Sequence, residues 1–232
     1  VNLPVMLAYP NAWQEFNRLN STRTWEWTTL YAVAARLTPF DGFDADDAQV
    51  PEILNTVSLL LFIASCVAIA IGGLVVKRQP RMAELVFLII AAFLLFNKVW
   101  SPQYSLWLVV PAVLALPRWR LLWTWMSIDM LVWPVLMWHM HGADNNGLPS
   151  ELLDLVVLTR TGLIVVLMVC VIRQMLSRSV DPVYQAHNGY DPLAGPLQAQ
   201  VPQDPNIQPQ DPNIQPQDPN IQPQALNIKE TA

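Results

Sequence analysis

Residues 56–76, TVSLLLFIASCVAIAIGGLVV, run for 21 positions without a charged side chain. At a helical rise of about 1.5 Å per residue this stretch reaches about 30 Å, the thickness of a bilayer's hydrocarbon core. Within lipid a single segment satisfies its backbone donors and acceptors only as a helix. The run therefore predicts a transmembrane helix and sets the terms for the rest of the chain. Four more apolar runs follow: 83–96, 105–117, 121–138 and 152–172. The run 105–117 is short and contains Pro111, which fits either a kinked span or a re-entrant piece packed in protein. Composition agrees, with 53% of residues hydrophobic and 13% charged, against about 25% charged in ordinary soluble domains. A net charge of −5 leaves no basic surface for phosphate backbones, so no nucleic-acid partner is expected. Cys66 and Cys170 sit in uncharged runs and read as small buried hydrophobes.

The charges fix an expected topology. Lys77, Arg78 and Arg81 follow the first run, Arg118 and Arg120 the third, and Arg173 and Arg178 the last. The intervening loops carry only Lys98, or no Lys or Arg at all across 139–151. The positive-inside rule then predicts about five spans over 55–178, with the basic loops and the C-terminus cytoplasmic. Trp119 and Trp123 at one end of the fourth run, and Trp133 and Trp138 toward the other, suit interfacial aromatic belts.

Residues 1–54 read as an outer-side segment, with 1–9 as the outer end of a membrane helix that begins upstream. Trp13, Phe16 and Leu19 recur at helical spacing, as on an amphipathic helix lying in the interface. The acidic run 41–47 lacks the ligand spacing and terminal Glu of a calcium loop. From residue 179 the character changes. QDPNIQP occurs in tandem at 203–209, 210–216 and 217–223. Two prolines per repeat block a helix, so 179–232 is expected to be a disordered cytoplasmic spacer. The fold class is accordingly all-α: a polytopic transmembrane helix bundle with a disordered proline-rich C-terminal tail.

Polar chemistry concentrates in residues 97–107, NKVWSPQYSLW. A lysine at this depth is costly unless it snorkels or meets an anion. Asn97, Ser101, Gln103 and Tyr104 supply donors and acceptors beside Lys98, Trp100 and Trp107 supply flat faces, and Pro102 breaks the helix. The stretch fits a polar cup for a phosphate or a sugar, or an interfacial loop with a snorkelling lysine. Asp129 and Arg160 lie near the middles of their runs and have opposite sign. Charges at that depth pair or face a polar cavity, so they read as a structural ion pair locking two helices, with a substrate contact as the rival role. His139 and His141 fit interfacial side chains, substrate contacts, or a metal pair with Asp144 and Glu151. Arg18 and Arg23 fit headgroup or anionic-acceptor contacts.

The run NKVWSPQYSLWLVVPAVLALPRWR resembles the C-terminal segment of bacterial glycosyltransferase family 87, whose pattern there reads NKV, then Tyr or Trp, then SPQY and a Leu-Trp-Leu. These are polyprenol-phosphate-mannose-dependent mannosyltransferases of the GT-C superfamily. NLPVMLAYPNAWQEFNRLNSTR resembles the family's outer segment, and the likeness covers roughly residues 1–178. The resemblance implies a bacterial plasma-membrane enzyme. It would transfer a hexose, by family habit mannose, from a polyprenyl-phosphate donor to an envelope glycolipid or glycan on the outer side. It implies Lys98 at the lipid phosphate, with Ser101, Gln103 and Tyr104 at sugar or phosphate oxygens. His139 and Arg160 would be further substrate contacts. The family's catalytic carboxylate lies on a first outer loop that has no matching position here. No metal or soluble cofactor is implied, and membrane lipids are the remaining expected partners. The alternative is a non-catalytic, truncated or degenerate paralogue serving as a membrane scaffold. A transporter half using Asp129 and Arg160 ranks behind both, because no inverted repeat is visible.

Overall fold

Prolines and charges set where each apolar run becomes a helix. The computed structural model describes residues 3–40, 43, 51–187, 190–191, 193 and 195–196. They form α1 (Leu3–Ala8), α2 (Pro10–Thr22), α3 (Leu30–Leu37), α4 (Glu52–Val75), α5 (Met82–Phe96), a 3₁₀ turn (Pro102–Ser105) that feeds α6 (Leu106–Ala115), α7 (Trp119–His139), α8 (Ser150–Met175) and α9 (Pro182–Ala186). Residues 190–191 pair antiparallel with 195–196 over two residues each. The architecture is an all-α helical bundle. Helix α4 starts four residues before the uncharged run, because Pro51 caps it without losing an intrahelical N–H and Glu52 sits in the first turn, where the helix dipole favours a carboxylate. The start of α5 is held by the Glu84 carboxylate, which accepts from the Arg81 N–H at 2.8 Å.

Helices α4, α7 and α8, of 24, 21 and 26 residues, are long and apolar enough to cross a membrane. The other two expected spans are shorter. Helix α5 has 15 residues and α6 has 10, giving lengths of about 22 and 15 Å. Pro102 and Pro117 bracket α6, and Arg81 and Lys98 bracket α5. The short α5 is the centre of the bundle and packs against α4, α6 and α8. Its Phe87, Leu88, Ala91 and Leu94 are buried with Trp100, Leu108, Ala112, Leu122, Trp125, Ile164 and Leu167. Helix α4 is the opposite case: Leu54 is its buried residue, while Leu59, Leu60, Ile63, Val67, Ile71 and Leu74 stand exposed. A contiguous apolar face of this size is foreign to a water-facing surface. Together with three helices of spanning length, it marks a helical membrane protein.

The two ends of the bundle differ in charge. At one end Arg81 is 2% exposed. It donates to the carbonyls of Leu114 and Ala115 at 2.9 and 2.7 Å and from Nε to Asp181 at 2.9 Å. Arg78 bridges Glu84 and Asp181, each at 2.7 Å. Asp181 also caps α9 by accepting from the N–H groups of Val183 and Tyr184. Burial raises the Asp181 pKa, but the Arg81 and Arg78 guanidiniums and the Tyr184 N–H outweigh it and leave the carboxyl below its ordinary value. This cluster corrects the expected tail boundary. Residues beyond 178 are not all spacer: Asp181 is buried among arginines, and α9 follows it. The QDPNIQP repeats lie outside the described residues, as does nearly all of the acidic run 41–47.

Candidate functional site at the arginine-poor end

The opposite end is built from residues 20–29, the start of α4 and residues 97–107. Lys98 is its knot. The residue is 5% exposed. Its ammonium donates to the carbonyls of Asn20 and Arg23 at 2.6 and 2.7 Å and to Asn55 Oδ1. An ammonium has three protons, so all are engaged by neutral protein oxygens. Burial first, and the nearby Arg23 charge second, hold its pKa below the ordinary lysine value. Lys98 therefore does not snorkel; it sits, almost fully buried, in the wall of an open cavity. With all three protons engaged, Lys98 has no donor left for a phosphate in this arrangement. The same knot is tightened by Asn55 Nδ2 donating to the Ser21 carbonyl at 2.9 Å and by the Glu26 N–H donating to the Lys98 carbonyl at 2.9 Å.

Behind the knot lies a buried polar chain. Arg160 is 0% exposed, and its guanidinium stacks 3.6 Å from the centroid of the Trp100 ring. Its Nη2 donates to the Thr28 carbonyl at 2.6 Å, and the Thr28 hydroxyl donates to the Trp100 carbonyl. Asp129 accepts from the Ser105 hydroxyl at 2.8 Å, and Ser105 accepts from Trp100 Nε1 at 3.3 Å. Asp129 and Arg160 do come together across α7 and α8, at 3.9 Å. That is the longest of Arg160's contacts; the aromatic face and the carbonyl lie closer. Full burial also removes Arg160 and Trp100 from any direct substrate surface.

The other expected site residues separate. Tyr104 stacks on Trp107 with ring centroids 4.7 Å apart. Gln103 is exposed and Ser101 half-buried, its carbonyl accepting from the Tyr104 N–H at 2.9 Å. His139 lies 2.7 Å through Nδ1 from the Leu148 carbonyl and edges against Trp27 at 5.2 Å, so it closes the 140–149 loop. His141 is exposed. Helix α2 forms where Trp13, Phe16 and Leu19 predict it, with all three side chains exposed.

Helix α3 and its anchor were not anticipated. Thr29 caps α3 by accepting from the Ala32 N–H at 3.3 Å. Arg36 then reaches buried Asp154 on α8 through Nε at 2.8 Å, and the Trp27 carbonyl at 3.0 Å. A Thr ahead of LYAVAARL is an N-terminal helix signal that the sequence does carry.

Two open cavities flank Asn20, Phe93 and Asn97. One of about 350 Å³ adds Ser21, Lys98 and, from α4, Asn55, Ser58, Leu59 and Phe62. The other, of about 670 Å³, adds Phe16, Leu19, Arg23, Tyr104 and Trp107. Arg23 is exposed at its edge. The first half of the groove sets Leu59, Phe62 and Phe93 among amides, hydroxyls and the engaged Lys98, and the second combines aromatic faces, amides and the Arg23 cation. Chemically this suits an amphiphile with an anionic, hydroxyl-rich head. No protein-family model, curated protein or solved structure matches the chain.

Proposed function

We propose that this membrane protein binds a polyprenyl-phosphate-linked hexose and serves its transfer to an envelope glycolipid or glycan. The reading rests on one observation: the groove at the arginine-poor end sets Phe16, Phe93, Tyr104 and Trp107 beside Asn20, Asn97 and Arg23. The prenyl chain lies along Leu59 and Phe62 of α4. Arg23 meets the phosphate, in place of the engaged Lys98, and the Tyr104–Trp107 pair offers its rings to the sugar. Amides of Asn20 and Asn97 supply hydrogen bonds to hydroxyls. The groove opens on the outer side of a bacterial plasma membrane, with the C-terminus cytoplasmic, as the distribution of arginines supports. Mannose is the sugar that the resemblance favours.

None of the described residues lining the two cavities is a carboxylate. That observation favours the second reading, a binding scaffold without transfer, unless a base reaches the groove from another segment. Purified protein in liposomes, titrated with radiolabelled polyprenyl-phosphate mannose, tests the binding. Arg23→Gln removes one charge-assisted contact at an exposed edge and should weaken binding roughly tenfold. Trp107→Ala should weaken it comparably. Equal affinity in wild type and both variants would remove the proposal. Tight binding with no mannosyl product from any acceptor would select the scaffold.

A further inference from the structure

The arginine-rich end carries a feature separate from the groove just described. Across 77–84, 118–120 and 173–191 it holds seven Lys and Arg side chains against three carboxylates. Arg78 and Arg81 consume two of those carboxylates in the buried cluster. Arg118 and Arg173 have no carboxylate partner among the described residues. They border one end of a cavity of about 370 Å³ whose remaining wall is Val165, Val166, Val169 and Cys170, with Ser179 at the rim.

Helix geometry arranges this wall by polarity. Val166, Val169 and Arg173 lie at i, i+3 and i+7, one stripe of α8. From Val166 to Arg173 the stripe climbs about 10 Å. Its lower part is uncharged and open, with Val165, Val166 and Val169 between 44% and 49% exposed. Its upper part is cationic. Arg118, just ahead of α7, points back across the gap, its Nη1 3.9 Å from Cys170 Sγ. Trp119 stands exposed beside it, as a residue at a membrane interface does. Two unpaired guanidiniums over an apolar stripe complement one kind of molecule: an amphiphile whose anionic head is joined directly to a hydrocarbon chain. We propose that this groove is a site for one anionic phospholipid, its phosphate between Arg118 and Arg173 and an acyl chain along Val165, Val166 and Val169.

The binding is local, so it differs from the general attraction of a basic surface for acidic lipid. Two arginines near a headgroup should favour an anionic over a zwitterionic lipid by about tenfold or more. The full chain is reconstituted in phosphatidylcholine vesicles, and spin-labelled phosphatidylglycerol or phosphatidylcholine is added in trace. Electron spin resonance then reads the motionally restricted fraction. Wild type should restrict phosphatidylglycerol preferentially. The double variant Arg118→Gln/Arg173→Gln should lose most of that preference, while Arg118→Lys/Arg173→Lys keeps part of it. Arg120→Gln/Arg178→Gln should leave it unchanged. Val169→Trp, which fills the stripe while retaining both arginines, should reduce it. Glycerophosphoglycerol, the headgroup without chains, should not displace the label. No preference in wild type would overturn the site, as would equal losses from the 118/173 and 120/178 pairs, or displacement by the chain-free headgroup. Should the 118/173 Gln pair fail to fold, Val169→Trp carries the test: a preference unchanged in that variant would also overturn it.

Discussion

Exchanging Asp129 and Arg160 separates two accounts of the buried polar chain. If the pair were held by charge alone, Asp129→Arg/Arg160→Asp would recover much of what either single change loses. The geometry predicts otherwise. Arg160 stacks on Trp100 at 3.6 Å, and a desolvated cation–π contact contributes about 2 kcal/mol. Its 2.6 Å hydrogen bond to the Thr28 carbonyl adds about 1.5–3 kcal/mol as a bond from a charged donor. Part of this is offset, because Nε and Nη1 are buried without a hydrogen-bond partner and their desolvation is relieved on removal. Arg160→Met should therefore cost about 3 kcal/mol. Asp129→Asn keeps an acceptor for Ser105 and loses only the 3.9 Å attraction of a side chain still 16% exposed, so it should cost about 1 kcal/mol. The exchange sets a carboxylate against the Thr28 carbonyl and the negative face of Trp100, both repulsive. It should be at least as destabilising as Arg160→Met. The assay is reversible unfolding in mixed micelles by added dodecyl sulfate, followed by far-ultraviolet circular dichroism. A double-mutant cycle with Trp100→Leu should return a coupling of about 2 kcal/mol. Recovery of the exchange variant to near wild-type stability, with no coupling to Trp100, would refute the stacking account.

Two further changes probe the ends of the bundle. Asp181→Ala should cost about 3 kcal/mol by removing a buried ion-pair partner and a helix cap, whereas Asp181→Asn, which retains capping capacity, should cost about 1 kcal/mol less. Because the folded-state pKa of Asp181 is depressed, its stabilisation is present above the unfolded value near pH 4 and fades as pH falls through the folded one. The gap between wild type and Asp181→Asn should then close in acid; a gap that widens there would contradict the cluster. Lys98→Met strips three acceptors of their donor and should cost about 3 kcal/mol, with faster tryptic cleavage after Arg23. Unaltered cleavage and stability would show that Lys98 is not the knot of this end.

What was legible in the sequence was whatever depends on a run or a period. The absence of charge from 56–76 defines α4, and Trp13, Phe16 and Leu19 define α2, because one helical face repeats along the chain. Proximity of Asp129 and Arg160 followed from their matching depth. The partners that dominate were not legible. Lys98 is bound largely by backbone carbonyls, and every residue carries one, so composition holds no trace of them. Trp100 reads as an interfacial ring until the chain folds it beneath Arg160, 60 positions away. Asp181 lies at the edge of a proline-rich region, and only the surplus of arginines on the facing loop asks for its carboxylate. Long-range polar pairing has no period along the chain.

The most direct test of the groove is to map where the lipid-linked sugar sits. A polyprenyl-phosphate mannose bearing a benzophenone near the phosphate is photolysed with the full chain in liposomes, and the adducts are located by mass spectrometry of peptides. Labelling is expected at residues 16–23 and 104–107, suppressed by excess unlabelled donor. Adducts confined to the Arg118–Arg173 end, or spread evenly along α4 and indifferent to competitor, would contradict that placement.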